Sequence, residues 1–408
     1  MQHIPVLLDS VLGVFDEISG AQENNAESKN IKNNDATNQA TSNKNRESRN
    51  AESKNNKKNI DSSQKSTNQI PKEINTLAMQ SELIAQDKPA TQGEPPAQNE
   101  LFAQNKPLAQ KPQKLFIDCT LGLGGHSGAL LKAHSDIALI GIDQDEFALN
   151  IARENLALYA SRARFIHANF AQGLVQALEI AQNERLKIAG VLADIGVSSL
   201  QLDDASRGFG FSSERLDMRM DTRASRTASD ILRDYSEFEL AGIFRDYGEI
   251  KEHKKMARLT KEYMQTHKGG FSSAREFSDF LAKHFKSSRI HPATLAFQAL
   301  RIEVNDELGV LKSLLDTLES TYKSHPNLLS GAIVAIISFH SLEDRIIKER
   351  FKEWSRACIC PASAYRCECG GDNAKGAMLT KKPIIASEAE IRKNPRARSA
   401  KLRAFRLK

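Results

Sequence analysis

LFIDCTLGLGGHSGALLKAHSDIALIGID, residues 115–143, decides the fold class of this chain of 408 residues. Two short apolar runs, residues 115–119 and 137–143, have the length and the composition of buried strands. Between them, a glycine-rich turn leads into a candidate helix over residues 126–133. A strand, a helix and a second strand in this order predict a right-handed unit with two parallel strands.

The same alternation continues along the chain. Further strands are predicted at ARFIHANF (163–170), AGVLADIG (189–196) and GAIVAIISFH (331–340), with amphipathic helical stretches after them. Strands that alternate with helices form a parallel sheet that is covered by helices on both faces. We therefore predict an α/β fold with its ligand site at the carboxyl edge of the sheet.

The alternation stops in residues 203–309. Amphipathic helical stretches follow one another there, among them ASDILRDYSEFELAGIFRDYG (228–248) and SAREFSDFLAKHF (273–285). We predict an all-helical, substrate-binding domain inserted into a sheet domain that comprises residues 113–202 and 310–408. A passive, stabilising bundle is the alternative.

Residues 20–112 have a different composition. They contain one aromatic residue, Phe102, and long runs of Asn, Lys, Ser, Gln and Glu, and the unit NAESKN at 25–30 returns at 50–55. Too few apolar side chains are present to offset an ordering cost of about 1–2 kcal/mol per residue. The composition predicts a disordered, low-complexity insertion, and an RNA-contacting arm is the alternative.

Charge is concentrated at the C-terminus. The chain has a net charge of +6, but residues 375–408 hold 11 basic and two acidic side chains, a net of +9, which leaves −3 for the rest. A concentrated positive charge attracts phosphate. The alternation in KLRAFRLK (401–408) predicts a terminal strand with one basic face, and a solvated tail is the alternative.

Composition also excludes several classes of protein. The longest apolar stretch, residues 331–339, is half of what a membrane span needs, and the N-terminus lacks the pattern of a secretion signal. Five cysteines in a chain of this length do not form a secreted disulfide scaffold. We expect a cytoplasmic protein without membrane contact.

The glycine-rich turn points to a nucleoside cofactor. Free N–H groups of such a turn approach a ligand closely, and Asp143, 21 residues after Gly122, can accept both hydroxyls of a ribose. The dinucleotide pattern fails at Ser127, which disfavours a dehydrogenase. The acidic Asp118 before the turn favours a cationic ligand, and S-adenosylmethionine suits it better than a pyrophosphate.

Two further segments follow predicted strands at the same edge. Asp194 opens DIGVSSLQLDD and can accept a hydrogen bond from a target amine, or it can cap the turn that follows. After the fifth strand, His340 can orient a base and Arg345 can bind phosphate, whereas Ser341 and its neighbours can cap the next helix.

Four cysteines lie close together as C-x-C pairs, Cys358 with Cys360 and Cys367 with Cys369. Four thiolates can close a tetrahedral zinc site, but the commoner spacing is C-x₂-C. We therefore assign no metal from the sequence. Cys119, in the first strand, is predicted to be a buried apolar residue.

Nine motifs stand in one order along the chain: HIPVLLDSVL (3–12), DCTLGLGGHS (118–127), GIDQD (141–145), ANF (168–170), DIGVSSLQLDDASRGFGFSSERLDMRMD (194–221), HPATLAFQALRIEVNDEL (291–308), ISFHSLEDRIIK (337–348), KPII (382–385) and NPRARSAKLR (394–403). Together they resemble the MraW/RsmH family of ribosomal RNA cytosine-N4 methyltransferases. The resemblance covers nearly everything outside residues 20–112. It implies a class I, Rossmann-like methyltransferase domain with an inserted helical domain, to which residues 1–19 belong as well.

The resemblance also implies an S-adenosylmethionine site. Its contacts would be Gly124, Gly125, His126, Asp143, Phe170, Asp194 and Gln201. Asp143 matches the acid that binds the ribose, and Phe170 matches the aromatic residue beside the adenine. The family often has Phe where this chain has Leu121 and an acid where it has Ser10.

The implied reaction methylates the N4 amine of one cytidine in the decoding region of 16S rRNA, in the small ribosomal subunit. We expect Asp194 to accept an N4 hydrogen bond, and His340 to hold the base. The helical domain and the basic C-terminal residues would bind rRNA phosphates. The alternatives are a non-catalytic RNA-binding or ribosome assembly factor and an NAD-dependent oxidoreductase, and the sequence leaves a homodimer open.

Overall fold

The computed structural model describes residues 5–16, 114–286 and 291–408. The predicted insertion, residues 20–112, lies outside the described residues. Within the described ranges, none of the helices combines the length and the apolar character that a bilayer crossing requires.

One mixed sheet organises the described part of the chain. Its eight strands are β1 (Lys114–Asp118), β2 (Ile137–Asp143), β3 (Ala163–His167), β4 (Lys187–Asp194), β5 (Ile333–Ser338), β6 (Gly376–Met378), β7 (Ile384–Ile385) and β8 (Lys401–Leu407). They lie in the order β3-β2-β1-β4-β5-β8-β6, and β7 also pairs with β8. The first five strands are parallel and β8 is antiparallel to β5. The predicted α/β, Rossmann-like fold is confirmed.

Helices connect and cover the strands. They are α1 (Leu8–Phe15), α2 (Gly125–Ala133), α3 (Glu146–Asn155), α4 (Phe170–Glu184), α5 (Ser199–Asp203), α6 (Ala228–Asp234), α7 (Glu237–Asp246), α8 (His253–Thr266), α9 (Ala274–His284), α10 (Pro292–Asn305), α11 (Glu307–Ser324), α12 (Pro326–Leu329), α13 (Ser341–Trp354) and α14 (Glu388–Lys393). Side-chain caps begin several of them, as where the Asn169 carboxamide accepts the N–H groups of Ala171 and Gln172 at the start of α4.

Each face of the sheet has its own core. Ile117 packs with α4, α11 and α13 on one face, and Phe116 packs with α1 and α2 on the other. The N-terminal segment, residues 5–16, is fixed there by Phe15, whose ring meets that of Phe116 edge-on at 4.9 Å. Apolar burial on both faces explains why the inner parallel strands β1, β2, β4 and β5 are mostly continuous apolar runs, whereas the edge strand β3 is not.

The helices between β4 and β5 form a third core. Side chains from α6 to α10, including Ile231, Phe244 and Phe277, pack against one another rather than against the sheet. The next helix, α11, returns to the sheet, because its Leu311 and Leu315 belong to the core that contains Ile117. The change between the two cores therefore falls between α10 and α11.

The C-terminal strand was predicted correctly, but its single basic face is wrong. β8 is packed on both faces, because Phe405 and Leu407 belong to the core that contains Ile117, and Leu402 and Ala404 belong to the core that contains Phe116. Arg403 is 6% exposed and forms a bidentate ion pair with Asp344, at 2.6 and 3.1 Å. Local alternation cannot reveal a buried arginine, because its acidic partner lies 59 residues away in sequence.

Candidate functional site

A cavity of about 360 Å³ lies at the carboxyl ends of β1, β2 and β4. Successive strands are added in one direction from β1 through β2 to β3 and in the opposite direction from β4 to β5, and ligands bind at such a switch point between β1 and β4. Six of the residues predicted from the sequence line it: Gly125, His126, Asp143, Phe170, Asp194 and Gln201. Gly124 and His340 lie outside its lining.

Two glycines shape the loop that forms the cavity floor. Gly124 has a φ of +80°, in the left-handed region that disfavours side chains, and it begins α2. Gly125 is needed for close approach, because a Cβ there would lie 2.4 Å from Cγ of Pro5. The glycine loop thus lets the N-terminal segment contact the floor of the cavity.

Asp143 is held by the glycine loop itself. One oxygen of its carboxylate accepts the N–H of Gly122 at 2.8 Å, and the other accepts that of Asp145 at 2.9 Å. Burial raises the pKa of Asp143 to about 6. Each oxygen keeps a second lone pair, so the carboxylate can also accept hydroxyl hydrogens from a ligand in the cavity.

Asp118 has a different place from the one the sequence suggested. It lies beneath the loop and accepts hydrogen bonds from the Ser127 hydroxyl at 2.6 Å and the Thr120 N–H at 3.1 Å. It is outside the cavity lining, and burial raises its pKa to about 6. The inference that Asp118 marks a ligand cation is therefore wrong, since its carboxylate positions the loop.

Asp194 is the carboxylate that reaches the cavity without a partner of its own. Its Oδ1 is buried and accepts no hydrogen bond, so this oxygen does not cap the following turn. Its Oδ2 lies 3.9 Å from Nδ1 of His126. Burial, together with repulsion from Glu343, raises the pKa of Asp194 to about 7. Because the Asp194 side chain lines the cavity and is 22% exposed, its carboxylate can accept a donor supplied by a ligand.

His126 joins the N-terminal segment to the site. Its Nε2 donates to the carbonyl oxygen of Val6 at 2.8 Å, and burial lowers its pKa. The next residue, Leu7, donates its N–H to a Glu390 carboxylate oxygen at 2.6 Å. Segments from both ends of the chain therefore meet beside the cavity.

His340 lies behind the cavity wall. Its side chain is 7% exposed, and Nε2 is 3.0 Å from Oε1 of Glu343, although neither atom has hydrogen-bond geometry. The other Glu343 oxygen accepts the N–H groups of Phe339 and His340, at 2.9 and 3.3 Å. The capping alternative thus describes this segment, with Glu343 as the capping residue rather than Ser341.

Ser341 and Arg345 of that motif bind the helical region rather than facing the cavity. The Ser341 hydroxyl donates to a Glu249 oxygen at 2.6 Å, and Arg345 donates to the other at 3.2 Å. Glu249 follows α7, so these bonds join α13 to the helices between β4 and β5.

Three functional candidates were missed in the sequence. They are Glu343, Arg301 and Glu307. Arg301 and Glu307 form a buried bidentate ion pair in the cavity wall, with N–O distances of 2.7 and 2.9 Å. Acidic and histidine atoms of Glu307, His340 and Glu343 lie within 4.8 Å of one another. The available signal was the position of Glu343 three residues after His340, as in a capping box.

Gln201 and Phe170 line the cavity in different ways. The Gln201 amide is already bonded at both ends, to Asp145 at 3.2 Å and to the Ser198 N–H at 3.0 Å. Arg207 also binds Asp145, at 3.0 Å. This network attaches the segment after β4 to the end of β2, while Phe170 presents an apolar ring at the start of α4.

Comparison with known proteins decides the family. The model of the MraW methylase family matches residues 101–408. The chain belongs to this family. Members of the family are methyltransferases, so the interpretation as an NAD-dependent oxidoreductase is wrong.

Curated relatives agree with this assignment. Proteins named ribosomal RNA small subunit methyltransferase H are 52% identical over 294 residues in Wolinella succinogenes and 50% identical over 300 residues in Helicobacter hepaticus. These alignments cover 72% and 73% of this chain, and 92% of each relative. A third, from Aliarcobacter butzleri, is 50% identical over 290 residues, which are 71% of this chain and 91% of that relative.

Membership of the family implies a methyl donor of the S-adenosylmethionine type, and the cavity fits one. Its volume lies within the range of about 300–1,000 Å³ that is typical of cofactor sites. Asp143 offers acceptors for a ribose, and Asp194 offers a partly exposed carboxylate to a cationic or donor group.

Proposed function

We propose that this chain transfers a methyl group from S-adenosylmethionine to the N4 amine of a cytidine in the decoding region of 16S rRNA. Relatives that are about half identical carry the name of a small-subunit rRNA methyltransferase. The motif resemblance supplies the finer assignment, to N4 and to that region. The partner is then the small ribosomal subunit or its RNA.

The observation that carries the proposal is the Asp194 carboxylate, which lines the cavity with 22% of its side chain exposed and whose Oδ1 accepts no hydrogen bond from the protein. When bound, the cofactor supplies a methyl group that its sulfonium makes electrophilic. The lone pair of cytosine N4 is delocalised into the ring, so the amine is a poor nucleophile. Asp194 accepts an N4–H, orients the amine and favours its pyramidal form.

A methylation at carbon fits the site poorly. Methyl transfer to C5 of a pyrimidine needs a thiolate that adds to C6, and Cys119 is the cysteine at the cavity. This thiol is 1% exposed, and burial raises its pKa well above the ordinary value. Cys119 therefore stays protonated, whereas an exocyclic amine needs an acceptor such as Asp194 instead of a covalent nucleophile.

The other proposed roles follow from position. Asp143 binds the ribose hydroxyls, Gly124 and Gly125 keep the loop close to the cofactor, and Phe170 packs beside the adenine. His340 acts through Glu343, because it touches Glu343 and not the cavity. We thus treat His340 as a positioning residue for the acceptor side.

RNA would enter from the side where the C-terminal residues and the helices between β4 and β5 meet the cavity. Arg396 is in the cavity rim and pairs with Asp203 at 2.5 Å. The target base must leave its stack to reach Asp194. Among the basic residues in 375–408, Arg403 is buried and unable to bind phosphate. The positive charge available to RNA is therefore smaller than the number of basic residues in this segment suggests.

The test is mass spectrometry of 16S rRNA. Cells that lack the protein should lose N4-methylcytidine, a plasmid copy should restore it, and an Asp194→Asn copy should not. Purified protein with labelled S-adenosylmethionine and subunits from the deletion strain should regenerate the same nucleoside. Unchanged N4-methylcytidine in the deletion strain would favour the non-catalytic assembly factor. A label on another atom would overturn the N4 assignment alone.

A further inference from the structure

The loop between α13 and β6, residues 355–375, is the cysteine loop. It contains neither a helix nor a strand, and most of its side chains are exposed. Its base is closed by backbone bonds, from the Lys375 N–H to the Trp354 carbonyl at 2.7 Å and from the Asn373 N–H to the Ala357 carbonyl at 2.9 Å. An exposed loop of this length has no apolar core to fix its interior.

The interior of the loop is instead a cluster of four sulfurs. Sγ of Cys358 lies 3.7 Å from those of Cys367 and Cys369, and these two are 3.5 Å apart. All four Sγ atoms, that of Cys360 included, lie within 4.8 Å of one another, and the thiols are free. With Zn–S bonds of about 2.3 Å, the edges of a tetrahedron of four sulfurs measure about 3.8 Å.

Backbone donors complete the arrangement with a two-fold pattern. Ile359, the middle residue of the first pair, donates its N–H to Sγ of Cys369 at 3.4 Å. Glu368, the middle residue of the second pair, donates to Sγ of Cys360 at 3.2 Å. Each C-x-C turn thus donates to the second cysteine of the other. Such bonds to sulfur offset thiolate charge and orient metal ligands.

We propose that Cys358, Cys360, Cys367 and Cys369 bind one structural zinc ion that orders the cysteine loop. All four ligands come from the protein, which leaves no open coordination position and is typical of structural rather than catalytic zinc. None of the four lines the cofactor cavity. The zinc therefore fixes the path from Trp354 to β6, and its role is independent of the proposed methyl transfer.

The first test is metal analysis of the full-length protein. Elemental analysis should find about one zinc ion per chain, and Cys360→Ser or Cys369→Ser should lower this at least about tenfold. The control Cys119→Ala removes the fifth cysteine and should keep the zinc. An unchanged zinc content in the C-x-C variants would overturn the proposed zinc site. So would an iron–thiolate absorption band in place of zinc, or a mass loss of four hydrogens from two disulfides.

The second test distinguishes a loss of order in the cysteine loop from unfolding of the whole protein. Chelation of zinc from the wild-type protein should speed amide exchange in residues 355–375 at least about tenfold, and added zinc should reverse this. S-adenosylmethionine binding should stay within about twofold, because the cavity residues lie elsewhere. If the loop exchanges equally fast with and without zinc, the ion does not order it and the proposal fails.

Discussion

The two sides of the cavity differ in how their carboxylates are satisfied. On the cofactor side, each oxygen of Asp143 already accepts a backbone N–H, and so does Asp118 beneath it. On the acceptor side, Asp194 Oδ1, Glu343 Oε1 and both ring nitrogens of His340 are buried without hydrogen bonds. Buried polar groups cost free energy when they are unpaired. The cofactor side is therefore preorganised by hydrogen bonds, whereas the acceptor side keeps buried polar atoms that the protein leaves unpaired.

Asp194→Asn should break the acceptor side most strongly. The carboxamide keeps the shape but loses the charge and presents an N–H donor on one side. We expect turnover to fall about 10²–10³-fold, which corresponds to about 3–4 kcal/mol of transition-state stabilisation. Single-turnover methyl transfer measures this, and calorimetry should find S-adenosylmethionine affinity changed by less than about threefold. An equal loss of affinity and turnover would contradict the role of Asp194 as an acceptor for the amine.

The pH dependence should report the same group. Burial raises the pKa of Asp194 to about 7. The ionised form accepts the N4–H, so activity is lost as pH falls through that pKa and reaches a plateau above it. At about pH 5 the ionised fraction, and with it the rate, should be about 100-fold below the plateau. Single-turnover rates from about pH 5 to about pH 9 should show this acidic limb, the fall in rate below the pKa of Asp194. A rate that does not depend on pH over this range would exclude Asp194 as the titrating acceptor.

Glu343→Gln should show how much Glu343 contributes to the acceptor side. Repulsion from Glu343 contributes to the raised pKa of Asp194, so its removal should move the acidic limb to lower pH. The plateau rate should fall about tenfold, because Glu343 also bonds the Phe339 and His340 N–H groups at the cavity wall. Glu349→Gln, an exposed change on the same helix, is the control and should leave both unchanged. An unshifted limb would show that Glu343 acts only as a cap.

Gly125→Ala should give the smallest effect, on the cofactor side. The added Cβ would lie 2.4 Å from Cγ of Pro5, so the N-terminal segment must move. We expect the Kd of S-adenosylmethionine to rise about fivefold, with turnover at saturation nearly unchanged. Pro5→Ala in the same chain should restore part of the affinity. Gly13→Ala is the matched control, because a Cβ there meets nothing within 4 Å, and a loss of the same size in this variant would refute the steric explanation.

The short strands β6 and β7 were not predicted, but local patterns in the sequence sufficed for strands β1 to β5 and β8, the glycine loop and the positions of Asp143 and Asp194. These features are local: strands are apolar runs of fixed length, and the end of each parallel strand reaches the same edge. The amphipathic helical stretch that was predicted after the fifth strand is α13, Ser341–Trp354. Asp118 shows the limit of this reasoning. The sequence correctly placed it at the end of a strand, but it could not tell whether the side chain faces the cavity.

The packing of the folded chain determines which charges face the cavity and which are buried beside it. Arg403 pairs with Asp344, Glu343 meets His340, and Arg301 binds Glu307 in the wall. The C-x-C cysteines converge for the same reason, through a loop whose spacing alone is ambiguous. Ion pairs and thiol clusters form between side chains brought together by packing, and sequence periodicity carries no record of that packing.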